Sequence, residues 1–222
     1  MATLESLAPE PQALDVAPDT FEQSDHLISI ARDVGGLLLN RGIPFRVWSG
    51  VQAAEIGRHR VSQDVDFWMP DGQIETAYHI LRQHMPAPVS LDERHDRYII
   101  RIGDHDDVEI MARMDIHASD GKVYPLRMSR NVIRQSHPHI HMGKWAPLPF
   151  AAPEETILLK AILQRGEEQD KHDAEDIVAM RRNLPWINVP YLTRRSFETE
   201  SYGRVMPFLQ ACGITLPSDH NN

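Results

Sequence analysis

The sequence predicts an α/β protein in which a mixed β-sheet is flanked by helices and followed by a C-terminal helical segment. Three observations predict it: apolar residues at helical spacing near the N-terminus, short alternating runs bounded by turn residues in the middle, and helix-start signals after residue 150. The 222 residues are 41% hydrophobic and 25% charged, which is typical of a globular chain. We expect a flexible N-terminal arm over residues 1–20, an α/β core over 21–150 and a helical segment over 151–222.

The chain up to residue 111 is predicted to alternate helices with short strands. Apolar spacing and the Gly and Pro stop signals between the runs set the bounds. We expect helices over residues 21–41, 51–56 and 73–84, strands over 45–48 and 61–69, and a β-hairpin formed by 97–102 and 108–111.

The chain changes character after residue 120. Residues 120–150 are rich in Pro, His and β-forming residues, which favours strands and long connections. Pro153, Glu154 and Glu155 then place a proline and two acids in the first turn of a helix, where backbone geometry and the helix dipole favour them. The expected helices of this last part cover residues 153–164, 173–182 and 202–212.

Charge and cysteine content exclude several classes of protein. The net charge of −9 argues against a generic nucleic-acid coat protein, and a single cysteine, Cys212, excludes an internal disulfide framework and a cysteine-based zinc site. The N-terminus has no signal-peptide pattern and the longest apolar run is too short to cross a bilayer, so we expect a cytoplasmic protein without a membrane partner. An acid-free block between Gly121 and Pro153 is either a solvated face or a surface that meets phosphates; its cations are Lys122, Arg127, Arg130, Arg134 and Lys144.

The central chemical feature is the pair Asp64 and Asp66 in the expected strand 61–69. Side chains two residues apart in a strand project from the same face, so the two carboxylates meet at one place. The intervening Val65 and the following Phe67 are apolar, which predicts a strand in the core of the sheet. Carboxylates held there repel each other and lose hydration, and a divalent cation compensates for both effects. Oxygen ligands of this kind select Mg²⁺ or Mn²⁺.

A second feature is the turn between the strand at 45–48 and the helix at 51–56. Ser49 and Gly50 place small residues where backbone N–H groups and the positive end of a helix dipole can receive a phosphate. An ordinary strand–turn–helix connection would have the same residues. The sequence has no Walker A motif and no GxGxxG motif, so phosphate-loop and dinucleotide-binding proteins have no support.

Taken together, these residues resemble the signature of the polymerase-β-like nucleotidyltransferase superfamily. The resemblance is strongest to its compact bacterial branch, the AbiEii-type toxins and the lincosamide- or aminoglycoside-type nucleotidyltransferases. The pattern is a hydrophobic residue and two small residues, followed by Gly-x-x-Arg-x-Ser-x-Asp-hydrophobic-Asp. A serine stands where many relatives have the first glycine; the matching positions are Ser49, Gly50, Gly57, Arg60, Ser62, Asp64 and Asp66.

The resemblance implies two further groups of site residues. A third carboxylate is expected on a neighbouring strand, where Glu109 fits between Val108 and Ile110 and Asp107 is the fallback. The later helical segment also matches the family's pattern, and in such relatives its lysines and acid border the nucleotide phosphates and the acceptor site. That role would pass here to Lys160, Lys171 and Asp176.

The activity implied by the resemblance is transfer of a nucleoside monophosphate from a nucleoside triphosphate to a hydroxyl group, with release of pyrophosphate. Asp64, Asp66 and Glu109 would hold Mg²⁺ or Mn²⁺, and Ser49, Gly50, Ser62 and Arg60 would contact the nucleotide. The expected acceptor is the 3′ end of an RNA such as tRNA, as for a toxin that has an antitoxin partner protein. The alternatives are a small hydroxylated antibiotic as acceptor, or a non-catalytic binding module with the same nucleotidyltransferase fold.

Overall fold

The computed structural model describes residues 19–57, 62–93, 97–103, 107–135, 145–169, 171–184 and 186–217. The arm expected over residues 1–20 lies outside these ranges except for its last two residues. Arg60 and Lys144 also lie outside them. Within the described ranges, no helix has the length and apolar character that crossing a membrane requires.

Six strands and eight helices make up the described parts of the chain. The strands are β1 (Arg46–Trp48), β2 (Val65–Trp68), β3 (Val89–Glu93), β4 (Arg97–Ile102), β5 (Val108–His117) and β6 (Val123–Leu126). The helices are α1 (Asp19–Asn40), α2 (Ser49–Ile56), α3 (Ile74–His84), α4 (Arg130–Gln135), α5 (Pro153–Leu163), α6 (Asp173–Asn183), α7 (Val189–Glu198) and α8 (Tyr202–Ala211).

All six strands belong to one mixed sheet, as the sequence predicts. Its order is β1-β2-β5-β4-β3, and β6 pairs with the far part of the long strand β5. Strands β2 and β5 run parallel, whereas every other pairing is antiparallel. The parallel pair lies at the centre of the sheet, so residues at the start of β2 and the start of β5 come to the same edge.

The two faces of the sheet contribute to two different cores. Side chains alternate between faces along a strand, so Val47 and Phe67 project to one side and Trp48 and Trp68 to the other. The first side packs against α1 and α3. The second packs against the C-terminal helices, and its Trp48 and Trp68 rings stack with centroids 4.7 Å apart. The predicted architecture, a mixed sheet flanked by helices with a C-terminal helical segment, is therefore confirmed.

Several local predictions differ from the structure. The strand expected over residues 61–69 is confined to Val65–Trp68, and Asp64 lies in a bend just before it. Strand β3 was not predicted, because an edge strand with polar, half-exposed residues lacks an apolar stripe. Helices α4 and α7 were also not predicted; α7 begins where the Asn188 side chain accepts a hydrogen bond from the Tyr191 N–H.

Candidate active site

The predicted carboxylates come together where β2 and β5 begin. Asp66 and Glu109 are the second residues of these parallel strands, and they face each other in the register. Facing residues of adjacent strands project from the same side of the sheet, about 4.8 Å apart along the hydrogen-bonding direction. Asp64 precedes the strand by one residue and lies close enough to Asp66 to raise its pKa. Of the two candidates for the third acid, the register places Glu109 and not Asp107 opposite Asp66.

Asp66 is a buried acid among like charges. Its exposed fraction is 8%, and Trp48 on the neighbouring strand β1 faces it in the register. Burial is the largest cause of a raised pKa, followed by repulsion from Asp64; repulsion from Glu109 adds to both and brings the pKa of Asp66 to about 7 from the ordinary 3.8. A bound cation would reverse this effect by favouring the ionised carboxylate. The oxygen donors and their mutual repulsion therefore fit a hard divalent cation such as Mg²⁺ or Mn²⁺.

The N-terminus of α2 lies directly against Asp66. The Ser49 hydroxyl and the Gly50 N–H both donate to the Asp66 carboxylate, which opposes the rise of its pKa. Ser62 approaches from the other side: its hydroxyl donates to Asp64 at 3.4 Å, and a methyl group placed on Gly50 would come within 2.9 Å of the same Ser62 oxygen. The structure thus brings Ser49, Gly50 and Ser62 together with the acids, and no larger residue than glycine fits at position 50 without displacing Ser62.

Ser49 has a strained backbone at this junction. Its φ of +60° lies in the left-handed region, which costs a non-glycine residue about 1 kcal/mol or more. A glycine would adopt this conformation without that cost. In exchange, the Ser49 hydroxyl reaches Asp66. Its backbone N–H points elsewhere and donates to the Thr156 hydroxyl at 2.9 Å.

A buried polar network connects α2 to α5 behind this turn. Thr156 accepts from the Ser49 N–H and donates to the Gln52 side-chain oxygen at 2.5 Å, and the Gln52 amide donates to the Ala151 carbonyl at 2.6 Å. Both Thr156 and Gln52 are fully buried. Polar atoms at such depth are costly unless they are paired, so the network fixes the turn that carries Ser49.

Replacing Thr156 with Val is expected to lower the free energy of unfolding by about 2–3 kcal/mol, because the Ser49 N–H and the Gln52 oxygen lose their partner in a buried place. Urea denaturation measures this change. The matched control is Thr193→Val, since the Thr193 hydroxyl donates only within its own helix, to the Val189 carbonyl. Equal and small losses in the two variants would contradict the role of the network.

Glu109 has a second charged neighbour that sequence reasoning missed. Arg101 on β4 faces it in the register, and the Arg101 Nε donates to a Glu109 carboxylate oxygen at 2.9 Å. The same guanidinium contacts an Asp92 oxygen on β3 at 3.4 Å. The sequence pattern shows Arg101 as one polar residue in an alternating strand, and only the register across two strand pairs places it beside the acids.

Two of the downstream residues of the family pattern are paired with each other. Lys160 and Asp176 are buried, with exposed fractions of 3% and 0%, and the Lys160 Nζ lies 2.8 Å from an Asp176 oxygen and 3.1 Å from an Asp173 oxygen. Burial would raise the pKa of Asp173, but Arg165 and Lys160 outweigh it and hold this pKa below the ordinary value. Lys171 is exposed. Lys160 and Asp176 therefore belong to a buried ion-pair cluster, and the expectation that they contact the nucleotide stays a prediction.

The remaining residues from the sequence analysis are Arg60, Asp107 and Cys212. Arg60 lies outside the described residues. Asp107 lies just before β5, where its side chain is 3.9 Å from His26. Cys212 is buried.

A triad of ligand atoms within 4.8 Å of one another occurs once among the described residues, and it is not the predicted one. It consists of Glu167, His172 and Glu175, on the partly exposed surface where α6 begins. Of the three, Glu175 lies in the first turn of α6, where the helix dipole favours an acid without any ion. The ligand atoms of Asp64, Asp66 and Glu109 do not all lie within this distance of one another.

Comparisons with known proteins give distant structural likeness. No protein-family model matches the chain, and no curated protein sequence matches it. It is similar to the crystal structure of ANT(2″)-Ia in complex with adenylyl-2″-tobramycin, with 17% identity over 87% of this chain and 90% of that chain and a TM-score of 0.38. The solution structure of the same antibiotic-resistance factor gives 18% identity, 87% and 86% coverage, and a TM-score of 0.38. A nucleotidyltransferase-like antigenic protein from Paracoccidioides brasiliensis gives 13% identity, 87% and 94% coverage, and a TM-score of 0.44.

Proposed function

We propose that this protein is a divalent-cation-dependent nucleotidyltransferase that moves a nucleoside monophosphate from a nucleoside triphosphate to a hydroxyl group. One observation carries the proposal: Asp66 and Glu109 face each other on adjacent parallel strands, with Asp64 beside them and the N-terminus of α2 against them. Without a cation, the ionised form of Asp66 is unfavourable at neutral pH. A purely structural role therefore does not account for these acids.

Asp64, Asp66 and Glu109 are the residues that would hold Mg²⁺ or Mn²⁺. When bound, such an ion neutralises negative charge on the phosphates and stabilises the attacking and leaving oxygens of an in-line displacement. The raised pKa of Asp66 supports this assignment, since a nearby cation stabilises most a carboxylate whose ionised form is otherwise unfavourable.

The donors of α2 would receive the phosphates. The Ser49 hydroxyl and the Gly50 N–H now donate to Asp66, and a phosphate oxygen offers the same kind of acceptor. Glu109 would take the proton from the acceptor hydroxyl as its oxygen attacks the α-phosphorus. The bond from that phosphorus to the pyrophosphate oxygen breaks in the same displacement, and pyrophosphate leaves.

Of the two acceptor classes, we favour a small hydroxylated, cationic compound of the antibiotic type over the 3′ end of an RNA. The net charge of −9 and four carboxylates around the site, those of Asp64, Asp66, Glu109 and Asp92, attract cations. The basic block between Gly121 and Pro153 is less suited to binding RNA than its composition suggests, because one of its cations is already paired. Its Arg127 is paired with Asp115 and lies 4.0 Å from Asp71. An antitoxin partner would accompany the RNA acceptor and has no independent support.

The test is incubation of the full chain with each α-³²P-labelled nucleoside triphosphate and MgCl₂, against a panel of aminoglycosides and lincosamides and against pooled tRNA. We expect label on a cationic compound, no label from γ-³²P substrates, and a loss of about 10²–10⁴-fold in Glu109→Gln. Glu93→Gln on the edge strand β3 is the matched control and should retain activity. Label on tRNA alone would select the RNA acceptor, and label on neither acceptor with any nucleotide would refute the proposed activity.

A further inference from the structure

Three charged side chains form a row across the sheet, and the one at its end is a cation. Asp66 on β2, Glu109 on β5 and Arg101 on β4 occupy facing positions in two successive registers. Because facing residues share a side of the sheet, Glu109 lies between a like charge and an opposite charge. Its negative charge is therefore already compensated when no ion is bound.

The hold of Arg101 on Glu109 is direct but not deeply buried. The Arg101 Nε lies 2.9 Å from a Glu109 oxygen, and its terminal nitrogen lies 3.4 Å from an Asp92 oxygen. The three side chains keep 24%, 22% and 19% of their surface exposed, in the order Arg101, Glu109, Asp92. Ion pairs at such exposure are modest in strength, so a divalent cation bound by several carboxylates can displace this one.

We infer that Arg101 competes with the divalent cation for Glu109, and that Asp92 is the carboxylate to which Arg101 moves its charge when Glu109 turns to the ion. The inference rests on the proposed function and adds a positioning residue to it. The contact to Asp92 already exists, so release of Glu109 leaves the guanidinium with a partner. The expected consequence is weak binding of the free ion, because every bound ion must first remove a resident cation.

A variant at Arg113 separates the effect of the Arg101–Glu109 contact from the effect of losing any nearby positive charge. Arg113 lies on the same strand as Glu109, four residues along, so removing its charge changes the field at the site in the same direction. Its own contacts are to Asp71 at 3.4 Å and to the face of the Tyr98 ring at 5.2 Å. A variant at this position therefore reports the loss of a nearby positive charge without the loss of a Glu109 partner.

Isothermal titration of MnCl₂ into the full chain at pH 8, without nucleotide, tests the inference. We expect Arg101→Gln to bind Mn²⁺ about five- to tenfold more tightly than wild type, Arg101→Lys to fall between them, and Arg113→Gln to stay within about twofold of wild type. Asp92→Asn should bind Mn²⁺ more weakly, because Arg101 then loses the alternative carboxylate. Arg101→Lys keeps the charge and guards against a folding defect in Arg101→Gln.

Two results would overturn the inference, and they differ in what they imply. If Arg101→Gln and Arg113→Gln tighten Mn²⁺ binding equally, or if Arg101→Gln weakens it, Arg101 does not compete for Glu109, while the proposed function is unaffected. If wild type and Asp66→Asn bind Mn²⁺ alike, or if wild type does not bind it, the acids are not a metal site and the proposed function falls with the inference.

Discussion

Replacing Asp66 with Asn is expected to abolish nucleotidyl transfer and to stabilise the ion-free protein at pH 8. The folded state raises the pKa of this carboxyl to about 7 from 3.8, so folded Asp66 binds a proton more tightly than unfolded Asp66 does. The contribution of Asp66 to the free energy of unfolding is therefore fully present below pH 4, and it is lost as the pH rises through 7. A shift of three pKa units corresponds to a penalty on the order of 4 kcal/mol above pH 8. The amide of asparagine removes this penalty because it carries no charge.

Urea denaturation in EDTA at pH 5 and pH 8 measures the effect. The stability advantage of Asp66→Asn over wild type should widen by about 2–3 kcal/mol between the two pH values. Asp71→Asn is the matched control: Asp71 is partly exposed and pairs with Arg113, so its loss should destabilise the protein slightly at both pH values. An Asp66→Asn variant that is less stable than wild type at pH 8 would contradict the assignment of a repelled, ion-binding acid.

Replacing Lys160 with Met is expected to cost about 3–5 kcal/mol of stability, because the variant leaves the buried Asp173 and Asp176 without their shared cation. For a chain of this length that corresponds to a fall in Tm of about 10 °C. Lys171→Met provides the control within the same segment, since the Lys171 side chain is exposed and its loss should leave Tm within about 1 °C. Thermal unfolding followed by circular dichroism measures both variants.

The opposite pattern would support the role expected from the family resemblance. If Lys160→Met keeps the wild-type Tm but raises KM for the nucleoside triphosphate, Lys160 reaches the phosphates in the working enzyme. Stability and KM are measured on the same preparations, so the two roles are separated by one set of experiments.

The sequence predicted the parts of the site that depend on near neighbours. Asp64 and Asp66 are two residues apart, so they stay near each other even though Asp64 lies in the bend before β2. Glu109 was also predicted, through its apolar neighbours and the family pattern. Arg101 was not, because its position beside Glu109 depends on the pairing of two strands whose register is set by the tertiary structure.

The same distinction applies to Lys160, whose burial no local pattern predicted. The helix that carries it was predicted correctly from Pro153 and the following acids. Whether a lysine on that helix faces solvent or the core depends on where α6 packs, and no local pattern encodes that. The buried partner of Lys160 lies 16 residues away in the sequence, at Asp176. Strand periodicity and helix caps are local properties, whereas the pairing of buried charges is not.

The hydrogen bonds between the turn at Ser49 and the start of α5 limit how this chain can be engineered. Val47 accepts from the Ala151 N–H and donates to the Pro149 carbonyl, so residues 149–151 continue the edge of the sheet beyond β1. A cut at residue 150 would separate the turn at Ser49 from the residues that hold it in shape. Chimaeras that exchange the helical segment should therefore carry residues 149–156 with the sheet and join the foreign helices after Thr156.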